Sequence, residues 1–316
     1  MAEKREMIEH KGKFGAVGRI LQPFFIYYVV YFITSAMLTY IVNSAAQRAG
    51  GTFKTLFMEQ EATVNAMIGG LAMMAGILPL LSDFRCEIKN NNEWHYKKNG
   101  RENKCYELNN SGCNAKKMIN SGIVGFLLRI LITIVLAFTS SIAINILFIS
   151  FHLTETSESY SRVAAHQYGV FFPVGLFLYG IVSPLAEEIV FRGILYNRMK
   201  KIFSTALSLV LSALLFGFYH GNIVQASYGF LMGMLIAYTY EKCGGFLYAF
   251  LFHAAANLSV YVITGNLILY ERLITWQNGI LLAGISILLL FFLHRNGSIR
   301  RPGPAGEDQD HRMQNH

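Results

Sequence analysis

The sequence predicts an all-α polytopic membrane protein, a bundle of about eight transmembrane helices. Three observations predict it. Hydrophobic residues make up 53% of the 316-residue chain and charged residues only 15%, against roughly 25% charged in a soluble domain. The apolar residues gather into eight uncharged runs of near-membrane length. Lys and Arg are plentiful in alternate connections and scarce in the others.

In chain order, residues 1–19 form a basic N-terminal segment with Lys4, Arg5, Lys11, Lys13 and Arg19. The first uncharged run, Ile20–Val42, is too long for a signal-peptide core and has no clear small-residue cleavage site after it, so it is expected to stay as an anchor. The next seven are Ala62–Ser82, Ile130–Phe151, Tyr168–Ala186, Ile202–Tyr219, Ile223–Tyr240, Cys243–Tyr270 (broken only by His253) and Leu273–Leu293. Each is at or near the ~17–25 residues needed to cross a bilayer at 1.5 Å per residue. The bundle therefore spans 20–295, and a polar tail, 296–316, with Pro302 and Pro304, is expected to be disordered.

One hydrophilic insertion, Asp83–Asn120, is rich in Asn and Lys and has little apolar periodicity, so it is expected as a mobile cytoplasmic loop or small hairpin. It holds Cys86, Cys105 and Cys113, with Cys243 at another turn. No C-x-x-C pair is present, so free thiols in a reducing compartment are expected rather than a zinc knuckle with His95. Eight Lys/Arg lie in this insertion, and Arg198, Lys200, Lys201, Lys242, Arg295, Arg300 and Arg301 join them on one side. The other side has Arg48, Lys54, Arg162 and Arg272. Both termini are thus expected in the cytoplasm. The net charge of +8 is a topology signal with some attraction to anionic lipid, and it calls for no nucleic-acid partner.

Ionisable side chains at bilayer depth are costly and usually face the bundle interior. They occur at three places: Glu187, Glu188 and Arg192; His220; and His253 with Asn257. Glu187 lies 13 residues before Lys200, about 20 Å along a helix, and His220 18 residues beyond Ile202, about 27 Å. His253 and Asn257 follow Cys243 by 10 and 14 residues, about 15 and 21 Å. These side chains can converge in one slab. Glu188 and Arg192 are i,i+4 and can pair, which leaves Glu187, about 100° round the helix, for a different partner. His253 and Asn257 share a face across three alanines, and Gly229 and Gly233 are expected as a close helix-packing motif.

A carboxylate, two imidazoles and a carboxamide suit hydrolysis in either of two ways. Glu187 can take a proton from water while the imidazoles and the Asn257 amide hold that water or donate to an oxyanion. Alternatively, Glu187, His220 and His253 can be three ligands of a zinc ion carrying a water. A carboxamide is a poor zinc ligand, and no second carboxylate on the seventh helix stands ready to orient His253. The metal-free arrangement is therefore preferred.

The motifs EE-x-x-x-R in EEIVFRG, F-x-x-x-H at Phe216–His220 and H-x-x-x-N at His253–Asn257 occur in that order on successive late helices. In this the sequence resembles the CPBP intramembrane proteases, the CAAX-protease and bacteriocin-processing or Abi family that includes the type II CAAX prenyl endopeptidases. The resemblance covers about Gly169–Gly265. It implies an intramembrane endopeptidase in which Glu187 activates water with His220 as partner, and His253 and Asn257 stabilise the oxyanion or stand on a metal side. It further implies Glu188 and Arg192 as a supporting pair and a membrane-associated or prenylated peptide as substrate. Family members are often described as metalloproteases, although a metal-free glutamate mechanism suits the prenyl endopeptidases better. The readings from other classes are a non-catalytic scaffold or immunity-type protein, and a proton-coupled transporter, against which the lack of inverted repeats counts.

Overall fold

The computed structural model describes residues 2–49, 51–102 and 122–296. These are helices and their connections, with no strand among the described residues. In order they are α1 (Ala2–Ala49), α2 (Gly51–Glu59), α3 (Glu61–Ile77), α4 (Leu81–Glu102), α5 (Gly122–Ser150), α6 (Glu158–Tyr168), α7 (Phe172–Met199), α8 (Thr205–Tyr219), α9 (Ile223–Thr239), α10 (Phe246–Thr264), α11 (Leu267–Leu273) and α12 (Trp276–Asn296). Among the described residues six segments are long and apolar enough to cross a membrane: Val17–Ala49, Glu61–Asn91, Gly122–Ser150, Phe172–Met199, Phe246–Thr264 and Trp276–Asn296. The chain is an integral, multi-pass, all-α membrane protein.

All eight uncharged runs contain helix, but one of them is shorter than a full crossing. Helix α8 has 15 residues, about 22 Å against a hydrocarbon core of ~30 Å, whereas the 17 residues of α9 run on without a break into a π turn, Tyr240–Gly244. Capping sets where each of the two starts. Ser204 Oγ accepts from Leu207 N at 3.3 Å to start α8, and Asn222 Oδ1 accepts from Gln225 N at 2.9 Å to start α9. Between them Gly221 takes φ +77°, a backbone conformation open to glycine, and closes the hairpin. The two helices meet where Gly217 lies against the Ala226 carbonyl; a Cβ at 217 would stand 2.5 Å from that oxygen. His220 thus rides on the tip of a short hairpin.

The insertion expected as a loop or hairpin begins instead as a continuation of the second span. Pro79 sits in a single 3₁₀ turn, Leu78–Leu80, after which α4 runs to Glu102. Its lack of an apolar stripe has a physical reason: α4 docks mainly through charge. Arg198 donates to Asp83 Oδ2 at 2.5 Å and Glu87 Oε1 at 3.2 Å, Lys201 donates to Glu87 Oε2 at 2.6 Å, and Asn91 donates to Tyr240 OH at 3.1 Å. Phe84 adds an edge-on contact to Phe246, with ring centres 4.8 Å apart. Cys105, Cys113, the His95 side chain and the tail after Asn296 lie outside the described residues. Cys86 is exposed and Cys243 buried, both as free thiols.

The motif helix α7 sits at the centre of the bundle. Over half of its most apolar stretch is buried, 56%, against 6% for α1, which presents Phe25, Phe32 and Met37 outward. On one side of α7, Tyr27, Leu80, Val190, Phe191 and Phe216 form one core. On the other, Leu136, Tyr196, Met232, Ile236 and Phe252 form a second. In a bilayer, packing and hydrogen bonds rather than solvent exclusion hold helices together, and α7 has both.

Candidate active site

Helix α7 is not a uniform α-helix. Wider π turns at Leu178–Val182 and Ile189–Tyr196 flank the α-helical stretch Ser183–Glu188 that carries the two glutamates. Such turns are common at functional sites and rotate the residues beyond them. The carbonyls they loosen find a partner in Asn197, whose Nδ2 donates to Arg192 O at 3.2 Å and Gly193 O at 3.0 Å.

The two glutamates have different partners. Glu188 is fully buried; its Oε1 accepts from Arg192 Nη1 at 2.8 Å and from His253 Nδ1 at 2.8 Å. Arg192, also fully buried, donates through Nη2 to Gly233 O at 3.1 Å, and its guanidinium lies 4.5 Å from the centre of the Phe216 ring. The i,i+4 pair is therefore present, and it reaches further than one helix. Glu187 faces elsewhere: its Oε1 accepts from Ser183 Oγ at 2.5 Å, and its Oε2 stands 3.8 Å from His253 Nε2.

These contacts settle which ring nitrogens carry hydrogen. A backbone carbonyl can only accept, so His220 Nδ1, 2.8 Å from Phe216 O, donates, and in the neutral ring Nε2 is left with its lone pair. His253 Nδ1 likewise donates to the Glu188 carboxylate, so in the neutral ring its Nε2 keeps the lone pair, 3.8 Å from Glu187 Oε2. The sequence offered no carboxylate on the helix of His253 to orient that ring. The orienting carboxylate is Glu188, 65 residues away on α7.

Asn257 Nδ2 donates to Tyr179 O at 3.0 Å, tying α10 to the first π turn with one of its two hydrogens. Phe216 is the shared packing partner of the site, edge-on to His220 at 5.0 Å and to His253 at 5.5 Å. The small residues expected for helix contact also make room for the chemistry. A Cβ on Gly229 would lie 3.3 Å from His220 Nδ1, and one on Gly233 3.2 Å from Arg192 Nη2.

Glu187, His220, His253 and Asn257 all line one cavity of about 240 Å³, together with Ser183 and Phe216. It extends from them toward the α5–α6 connection and α6, the end of the bundle opposite Arg198, Lys200 and Lys201. Sequence reasoning missed Ser183, whose i,i+4 spacing to Glu187 was an available signal, and it marked Phe216 only as part of the F-x-x-x-H motif, without its packing role between the two imidazoles. Glu187, His220 and His253 do not meet as a three-ligand metal site: among the described residues no three His, Cys, Asp or Glu side chains stand close enough to hold an ion. The Ser183 hydrogen bond moreover occupies one oxygen of Glu187.

Residues 169–259 match the family model described as type II CAAX prenyl endopeptidase Rce1-like. The matched segment is under a third of the chain, and it contains all six motif positions. No curated protein and no solved structure matches the chain.

Proposed function

We propose, from the match of residues 169–259 to the type II CAAX prenyl endopeptidase Rce1-like family model, that the chain is a CAAX-type intramembrane protease that hydrolyses a peptide bond of a membrane-associated or prenylated substrate with a water activated by Glu187. The observation that carries the reading is that Glu187, His220, His253 and Asn257, from three separate helices, line one cavity.

Each residue has a role that follows from its contacts. Ser183 holds one oxygen of Glu187 and leaves the other to take a proton from water. His220, with its Nδ1–H committed to a carbonyl, offers Nε2 to the water's second hydrogen. His253 is held as a carboxylate-bound imidazole by Glu188, so a positive charge forming on it is stabilised; its Nε2 is placed beside Glu187 to receive a proton and pass it to the leaving amine, as in other carboxylate–histidine pairs. The second Asn257 amide hydrogen serves the developing oxyanion. Arg192 holds Glu188 in place through Nη1 and touches no reactant.

The metal alternative is not adopted, because the three candidate ligands do not meet; no step is routed through zinc. In this proposal both termini are cytoplasmic, in keeping with the basic connections. The test is proteomics of membrane peptides in cells carrying the wild-type or the Glu187→Gln protein. Products that depend on Glu187 support the reading, and identical peptide profiles sink it.

A further inference from the structure

We infer that Asn197 and Tyr240 are positioning residues for the reaction: they hold open the second π turn of α7, and the width of that turn sets the direction in which Glu187 and Glu188 face. This rests on the peptidase reading above and deepens it, by adding to the site two side chains from the basic end of the bundle.

The first support is how the turn Ile189–Tyr196 is closed. An α-helix sends the N–H of residue 197 to the carbonyl four residues back, Gly193, and a π-helix sends it five back, to Arg192. Here the Asn197 N–H goes to Ile194 O, and its side chain serves the other two: Nδ2 donates to Arg192 O at 3.2 Å and to Gly193 O at 3.0 Å. Carbonyls only accept, so they fix which end of the amide faces them. The other end, Oδ1, accepts from the Tyr240 hydroxyl at 3.1 Å, a group that also stands 2.9 Å from Nδ2. Tyr240 OH in turn accepts from Asn91 Nδ2 at 3.1 Å. Asn197 is buried and Tyr240 fully so. The Tyr240 ring stands edge-on to Tyr196, with centres 5.5 Å apart, and Lys200 Nζ lies 5.2 Å from its centre. In a low-dielectric interior, linked hydrogen bonds of this kind are strong and costly to break.

What the turn controls is rotation. Passing from i→i+4 to i→i+5 bonding admits about one extra residue to a turn, which is about 100° of helix rotation. Beyond the turn α7 is pinned, because Arg198 donates to Glu87 at 3.2 Å and Lys200 to Glu241 at 2.6 Å. Before it the glutamates face α10: Glu188 Oε1 accepts from His253 Nδ1 at 2.8 Å, and Glu187 Oε2 stands 3.8 Å from His253 Nε2. With the basic half held, closing the turn to α geometry swings both carboxylates away from His253. Arg192 lies inside the turn, with Nη1 on Glu188 and Nη2 on Gly233 O, so its grip on Glu188 depends on the same opening. Asn197 and Tyr240 touch no reactant. They act through Arg192, Glu188 and His253.

The test uses the purified full-length protein in detergent, a quenched fluorogenic peptide carrying a farnesylated cysteine, and Glu187→Gln as the blank. Two variants are compared with wild type: Tyr240→Phe, which removes only a hydroxyl, and Asn197→Ala, which frees the turn to close. The second readout is the nitrogen NMR resonance of His253 Nδ1 in histidine-labelled protein, assigned with His253→Gln. In Tyr240→Phe we expect kcat to fall about threefold to tenfold, the scale of one neutral hydrogen bond, with KM nearly unchanged. In Asn197→Ala the fall should be about tenfold or more, and the His253 resonance should move in both variants. The double variant should be no slower than Asn197→Ala, because both side chains act through one turn. Normal wild-type turnover with either readout unmoved in both variants overturns the proposal and leaves the peptidase reading intact; a lowered melting temperature alone marks a purely structural tie and counts the same way. Should Asn197→Ala fail to fold, Tyr240→Phe decides by itself. Wild-type protein that gives no Glu187-dependent product removes the peptidase reading, and this proposal with it.

Discussion

Glu187 and Glu188 are adjacent in sequence and unlike in consequence. Glu188 is bonded to both Arg192 and His253, so Glu188→Gln removes the charge that answers a buried guanidinium and leaves a neutral amide oxygen as a weaker acceptor for His253 Nδ1–H. Breaking a buried ion pair on one side costs about 3–5 kcal/mol. We expect this variant to lose both thermal stability in detergent and activity. Glu187→Gln, by contrast, should keep a near-wild-type melting curve while hydrolysis falls to the blank. A finer expectation concerns Ser183. Its hydrogen bond to a charged oxygen is worth roughly 1.5–3 kcal/mol, so Ser183→Ala should lower kcat roughly tenfold to hundredfold with little change in KM. Ser183→Thr should restore much of it, and a Ser183→Ala enzyme with unaltered kcat would show that the contact is only structural.

Among the elements, the α8–α9 hairpin is where backbone geometry and chemistry are joined. Its length brings His220 to a depth inside the bundle, and its glycines allow the approach. Gly217→Ala would set a Cβ 2.5 Å from the Ala226 carbonyl, a backbone atom that cannot swing away. Overpacking of this kind costs about 1–3 kcal/mol, and here it would also displace His220. A lower melting temperature with a larger fall in activity is the expected pair of results. Helix α4 makes a contrasting case, since its charged contacts lie at the basic end, away from the cavity. Glu87→Ala removes the acceptor for both Arg198 and Lys201. It should make α4 easier to cut in limited proteolysis and leave hydrolysis unchanged; equal protease resistance would mean that the ion pairs do not hold this helix.

For the whole molecule, the basic and cavity-facing ends are opposite, so orientation decides which compartment the far end of the cavity approaches. Thr156 and Thr264 are exposed at the end away from Arg198, and Cys86 is exposed near it. With both termini cytoplasmic, an impermeant thiol reagent applied to intact cells should label cysteines introduced at 156 and 264 and spare Cys86. The reverse pattern would invert the proposed topology. Cys243 is buried and reports nothing in such an experiment. The metal question is tested at this scale too: hydrolysis indifferent to chelators, with no metal by elemental analysis, is expected of the proposed glutamate mechanism. Stoichiometric zinc, with activity lost on chelation and restored by adding zinc back, would refute it.

The sequence by itself determined what depends on neighbours along the chain. Hydropathy runs and basic connections are local, so the all-α membrane class could be read from them, and i,i+4 spacing was enough to pair Glu188 with Arg192. The order of the three short motifs was enough to pick out six positions within the segment that the family model also matches. What only the tertiary structure decided are relations between helices. Glu188 reaching His253 and Asn257 tied to the Tyr179 carbonyl both depend on how α7 is rotated. Counting at 100° per residue cannot follow that rotation, because two π turns widen the helix on either side of the glutamates. Helix α4 escaped for a related reason: it is held by side chains from a distant turn, and ion pairs leave no periodic mark on the residues that make them. The cavity wall is likewise a property of α5 to α10 together, since no one helix has enough of it to be seen alone.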